Sequence, residues 1–198
     1  MLDYAKVLNE KNTATKNISN YERHIAQFGA CRKFTQDVQE NLKVGECMVF
    51  RDFVSQYLFG SEFLGNKMNN LQLVMIWRDV EHGPLQSFKV ANFCGDPKTM
   101  AHDAYFTAEV FNFHLSTNPD GAADFSNLFA RFHTLFLVGD HGPHFSSQQT
   151  FFNESFMQTK FHKTIRCLFL CSYHAYSRAD GAGAEPKKLA LIAAKQRA

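Results

Sequence analysis

Thr134-Leu-Phe-Leu-Val-Gly-Asp140-His-Gly-Pro-His-Phe145 is the stretch whose reading decides the fold. Leu135 to Val138 form an apolar run of strand length, and Gly139 stops it. A short apolar run bounded by turn signals reads as a strand buried on both faces. Gly142 and Pro143 turn the chain out of the sheet just past Asp140. The spacing therefore predicts Asp140 at the carboxyl end of a central strand, the edge where open α/β sheets bind ligands.

Working outward, the other segments fall around this strand. On the N-terminal side, Glu46 to Phe53, Leu71 to Trp77 and Gln86 to Phe93 read as three strands with short links, an antiparallel meander. The first of them carries Asp52 near its end. Asp96-Pro97-Lys98-Thr99 opens a helix with Thr99 as its expected N-cap, and Met100, Tyr105, Phe106, Val110 and Phe113 lie on one side of it. On the C-terminal side, Gln148 to Phe161 reads as a helix, Thr164 to Cys171 as a fifth strand, and Lys187 to Arg197 as a last helix. Ahead of the meander, residues 1–17 are polar and read as loosely ordered. From Ile18, the positions Tyr21, Ile25, Phe28, Phe34, Val38 and Leu42 recur at helical spacing, so an amphipathic helix is expected, broken at Gly29 and ending before Gly45.

The chain of 198 residues, 45% hydrophobic and 20% charged, is long enough for one sizeable core. We divide it into an N-terminal segment and helix, 1–44, and a domain that carries the strands, 45–198. A net charge of +2 neither announces nor excludes a nucleic-acid binder. The five cysteines are odd in number and form no C-x-x-C pair, which argues against a disulfide framework and for a reducing compartment. No run approaches a membrane span, and no signal peptide opens the chain. The last helix reads as cut short, so a fragment of a longer protein is expected. No G-x-S-x-G elbow and no phosphate-cradling glycine loop supports a small-molecule hydrolase or phosphatase.

Three consecutive strands followed by alternating helices and strands is the element order of the ribonuclease H-like fold. In that fold the first and fourth strands lie side by side at the centre, which would make neighbours of Asp52 and Asp140. Two adjacent carboxylates repel unless a cation sits between them. Carboxylate oxygens with water are the usual surroundings of magnesium. Two such ions can activate a water or a 3′-hydroxyl and stabilise the leaving oxygen of a phosphodiester.

The motifs are similar to those of the ribonuclease H-like catalytic domain of eukaryotic DDE/DDD-type transposases and related integrase-like proteins. Asp52-Phe-Val-Ser-Gln-Tyr57 matches in part a first-acid pattern of the form D-F-S-E-N-Y. Gly139-Asp140-His-Gly-Pro-His-Phe145 matches a second pattern like S-D-G-x-x-x-x-F/Y. Against a third pattern like S-H-G-K-G-x-x-D-G-x-G-G-x-x-K stand His174, Asp180, Gly181, Gly183 and Lys187. The resemblance spans Tyr21 to the C-terminus. It implies an α/β, ribonuclease H-like domain with a mixed five-stranded sheet flanked by helices. It also implies Asp52, Asp140 and Asp180 as catalytic residues and metal ligands, with two Mg2+ or Mn2+ ions, DNA as partner, self-association, no membrane, and a nuclear or otherwise intracellular, reducing location. Glu185 is the alternative third acid, because Pro186 would start a helix there and break one begun at Asp180. His141, His144, His174 and Asp103 are auxiliary candidates.

The sequence departs from the pattern at Ser55-Gln56, at Ala175-Tyr176-Ser177 and at Ala184. The alternative reading is therefore a decayed or domesticated copy that keeps the fold, and binds nucleic acid, without cutting it. Arg51 and Arg78 are sequence candidates for pairing with Asp52.

Overall fold

In the computed structural model, residues 4–58, 67–93, 103–116, 128–140 and 142–170 are described. The elements in order are helix α1 (Tyr4–Glu40), strands β1 (Glu46–Leu58), β2 (Lys67–Arg78) and β3 (Leu85–Phe93), and helix α2 (Ala104–Leu115). Strand β4 (Thr134–Asp140), the short helix α3 (Pro143–Ser146), helix α4 (Gln148–Phe161) and strand β5 (Thr164–Leu170) follow.

The protein is an α/β fold built on one mixed five-stranded sheet, ordered β3-β2-β1-β4-β5. The meander is antiparallel, with Asp52 opposite Gln72 and Gln72 opposite Ala91. β1 and β4 run parallel at the centre, from Glu46 beside Thr134 to Phe50 beside Val138. β5 continues the parallel half, from Thr134 beside Thr164 to Asp140 beside Leu170. Parallel neighbours need a crossover, and α2 and α4 lie in the two crossovers that lead into β4 and β5.

Alternation along the strands sorts the side chains onto two faces. Cys47, Val49, Leu71, Leu73, Met75, Leu135, Leu137 and Ile165 point to one face. There Phe106, Val110, Phe111 and Leu115 of α2 cover them, joined by Phe129, Phe132, Phe145 and Met157. Met48, Phe50, Val74, Ile76, Phe136 and Val138 point to the other face, where Val38 and Leu42 at the C-terminal end of the α1 region meet them. In β4, Leu135 to Val138 are all buried, as expected for a strand covered on both sides. Each such side chain contributes roughly 1.5–3 kcal/mol relative to exposure.

The structure differs from the sequence expectations at two helices. α1 is continuous from Tyr4 to Glu40, so residues 4–17 are helical rather than loosely ordered, and Gly29 does not break the helix. Its glycine lies in the open, with nothing within 4 Å of where a Cβ would stand. The lapse in helix propensity there costs about 1 kcal/mol, too little to stop a helix this long. The expected apolar stripe is only partly used: Ile18, Tyr21, Ile25 and Phe34 are exposed. α2 begins later than expected, at Ala104, and its N-cap is Asp103, whose Oδ1 accepts from the amides of Tyr105 and Phe106. Thr99, the expected cap, lies outside the described residues, as does the expected last helix.

Candidate functional site

The site is assembled where β4 reaches its carboxyl end; β1 does not stop there but runs on to Leu58, so Asp52, expected near the end of a strand closing at Phe53, lies in mid-strand opposite Gln72 of β2. The ladder between them is in register through Phe50 and Val138. Continued by one residue, that register sets Arg51 beside Gly139; continued by two, it sets Asp52 level with Asp140. Alternation puts both acids on the face of Phe50 and Val138. Arg51 and Gly139 are on the opposite face, toward α2 and α4. Both acids are partly buried. Asn70 and Gln72, on the acids' face of the neighbouring β2, are buried polar residues, and the Gln72 side-chain amide donates to Asn70 Oδ1 at 3.0 Å.

Asp140 is held by the turn that follows it. Its Oδ1 accepts from the Gly142 amide at 2.9 Å. Pro143 fills the first position of α3, where no amide is needed. A Cβ on Gly142 would stand 2.9 Å from Asp140 Oδ1 and 2.8 Å from His144 Cε1, so only glycine lets the turn close this tightly. His144 Nε2 lies 3.5 Å from Asp140 Oδ1. The edge-on contact of the His144 ring with Phe53, at 5.0 Å, ties it to the residue that follows Asp52. Phe53 in turn stacks on Phe145 at 5.7 Å.

The His144 ring beside it is the largest influence on the Asp140 carboxyl and holds it below the usual carboxylate range. Partial burial opposes this, while the Gly142 amide and the Arg51 charge act in the same sense as His144.

Arg51 does not pair with Asp52. It is fully buried on the opposite face, and its Nη1 donates to Glu154 Oε1 of α4 at 2.6 Å. The Cys167 thiol of β5 donates to the other oxygen of Glu154, also at 2.6 Å. Burial, reinforced by Glu154, pushes that thiol up to about 12, so it stays protonated and serves as a donor. Arg78 is likewise engaged elsewhere, with the carbonyls of Gly83 and Glu40 at the far end of β2. The Arg51–Glu154 pair escaped the sequence reading, although a signal was present. Arg51 falls on the inward phase of Cys47, Val49 and Phe53, and Glu154 falls on the buried stripe of Thr150 and Met157. A charge on each of two apolar stripes calls for a partner.

Of the residues singled out in the sequence, Asp140 and His144 lie at the carboxyl end of β4, and Asp52 lies on the neighbouring β1, two residues past the last β1–β4 pair. Asp103 caps α2. Asp180, Glu185, His141 and His174 lie outside the described residues. Among the described residues, no group of three or more His, Cys, Asp or Glu side chains is placed to hold a metal ion. None of the described helices is long and apolar enough to cross a membrane.

No family model, no curated protein and no solved structure matches the chain.

Proposed function

We propose that this chain is a ribonuclease H-like polynucleotidyl transferase domain of the transposase and integrase type, which cleaves DNA phosphodiesters and transfers strands. The observation that carries the reading is the parallel pairing of β1 with β4 at the sheet centre, in a register that, continued two residues past Phe50 and Val138, would level Asp52 with Asp140. The strand order β3-β2-β1-β4-β5 supports it, since it sets the first and fourth strands side by side.

The donors fit a hard divalent cation: two carboxylates on one sheet face, with the third acid, Asp180 or Glu185, supplied from the segment after β5. In this reading Asp52, Asp140 and the third acid would be the residues that hold Mg2+ or Mn2+. Bound ions would supply activation of the attacking water or 3′-hydroxyl and charge stabilisation of the leaving oxygen. The chain's own residues fix the geometry: Gly142 and His144 orient the Asp140 carboxylate, and Phe53 braces His144 against the first acid's strand. A DNA substrate implies a nuclear or other intracellular location, and Cys31, Cys47 and Cys167, none of them in a disulfide, are compatible with a reducing one.

The experiment is thermal unfolding with and without Mg2+ or Mn2+, paired with nicking of a supercoiled plasmid. Wild type is expected to melt higher with the ion, by the mass action of a ligand that binds only the native state. Asp52→Asn and Asp140→Asn are expected to lose most of that gain and all nicking. An equal response in wild type and both variants would overturn the site. Asp180→Ala is expected to abolish nicking and Glu185→Ala to retain it; the reverse outcome makes Glu185 the third acid. The departures at Ala175-Tyr176-Ser177 favour a second reading, a nucleic-acid-binding copy that no longer cuts. Metal-dependent stabilisation and DNA binding without nicking would select it.

A further inference from the structure

We infer that Arg51 is a positioning residue for the Asp52–Asp140 pair, acting from the opposite face of the sheet; this rests on the proposed site. Four observations carry it. The β1–β4 ladder runs to Phe50 and Val138, two residues short of the acids. Where it stops, the Arg51 side chain spans the junction. Its guanidinium lies 4.8 Å from the centre of the Phe145 ring and 6.0 Å from that of Phe111. Its Nη1 is anchored on Glu154, which also receives the Cys167 thiol, so β1, α4 and β5 are fastened together behind the end of β4.

Gly139 makes room for this. A Cβ there would stand 3.3 Å from Arg51 Nε and 3.0 Å from Phe145 Cδ2. The backbone that presents Asp140 is thus laid directly against the guanidinium and the ring. A displaced guanidinium would move Gly139 and, through one peptide link, Asp140. The same residue precedes Asp52, so both acids hang from one buried side chain.

The arrangement is more than a structural ion pair needs. Arg51 Nε and Nη2 are buried with no hydrogen-bond partner among the described residues. Two buried donors left unmatched are a cost that an apolar pair of the same shape would avoid. Groups behind a ligand that orient it commonly matter to metal affinity nearly as much as the ligands.

The test separates positioning from folding. Arg51→Met/Glu154→Leu removes both charges together, and such replacements of a buried pair by apolar residues generally fold. Arg51→Lys keeps the charge and loses the planar fork. Leu135→Ala, a cavity near the amino end of β4, is the control for lost stability alone. Mn2+ affinity would be measured by paramagnetic resonance titration of each variant of the 198-residue chain, beside its melting temperature.

The double variant is expected to melt near or above wild type yet to bind Mn2+ roughly tenfold to a hundredfold more weakly. Leu135→Ala should melt lower and bind as wild type, and Arg51→Lys should recover part of the affinity. Wild-type affinity in the double variant would overturn the positioning role while leaving the acid site standing. Failure of wild type itself to bind Mn2+ would overturn both the site and the role built on it.

Discussion

Asp140 departs from what its setting in sequence suggests. Two bare acids side by side would raise each other's pKa, yet the His144 ring and the Gly142 amide hold Asp140 down. The fold therefore favours its charged form before any cation arrives. Because Asp140 ionises at lower pH when folded than when unfolded, the unfolded chain takes up the proton first as pH falls. The stabilisation is full above about pH 4 and is lost as pH drops through the folded value. Asp140→Asn should accordingly lower, not raise, the metal-free melting temperature at pH 5–6. The loss should be roughly 1 kcal/mol or less, because the carboxylate is partly exposed and screened. The two proteins should converge as pH falls through the folded value of Asp140. Thermal unfolding of both across that range checks this, and a pH-independent difference would show that His144 and charge are not the cause. Asp52 lies within β1, which runs on to Leu58, so of the two acids only Asp140 was legible as closing a strand. The brace was not: Phe53, His144 and Phe145 meet only through ring contacts that no local pattern encodes.

At the scale of elements, the strands were easier to read than the helix ends. Apolar runs such as Leu135–Val138 leave little choice, and Gly83-Pro84 marks the β2–β3 hairpin whatever surrounds it. Helix starts depend on which of several capping residues wins. Asp103, with a carboxylate oxygen in reach of two amides, caps α2. α1 was misjudged because Gly29 was weighed as a breaker, when one glycine among 37 helical residues is only a local weakness. Since no atom would meet a Cβ there, Gly29→Ala should stabilise the protein by about 0.5–1 kcal/mol. Denaturant melts with an unchanged m-value would check it; a loss of stability would mean that the helix bends or is touched at that point. Arg51→Met alone should cost about 3–5 kcal/mol by leaving Glu154 buried and unpaired, while the double apolar variant recovers most of it.

At the scale of the whole molecule, the sheet joins two halves of different character. β1, β2 and β3 form a local meander, while β4 and β5 arrive through crossovers. The order of elements made this architecture readable, because strand–strand–strand followed by alternating helix and strand leaves few ways to close one sheet. The sequence offers Asp180 or Glu185 as a third acid, since motif and proline point to different places, and both lie outside the described residues. A fragment ending at Ser116 retains the meander but lacks β4, which leaves one edge of β1 unpaired. It should self-associate at micromolar concentration where the full chain stays monodisperse, as light scattering would show; a well-behaved monomeric fragment would mean that the β1 edge is otherwise protected.

The central place of β1 has a consequence for synthesis. β1 is made before its parallel partner, which ends at Asp140, so the strand that carries Asp52 must wait until the segments between them have been made. Until β4 docks, a row of backbone amides and carbonyls on β1 stands open to any passing strand. Pairings that bring distant segments together are slow, and the delay leaves partly folded chains prone to aggregation. The strand bearing the catalytic candidate is thus also the one most in need of shielding on the ribosome, and a chaperone that covers exposed strand edges would find its client there.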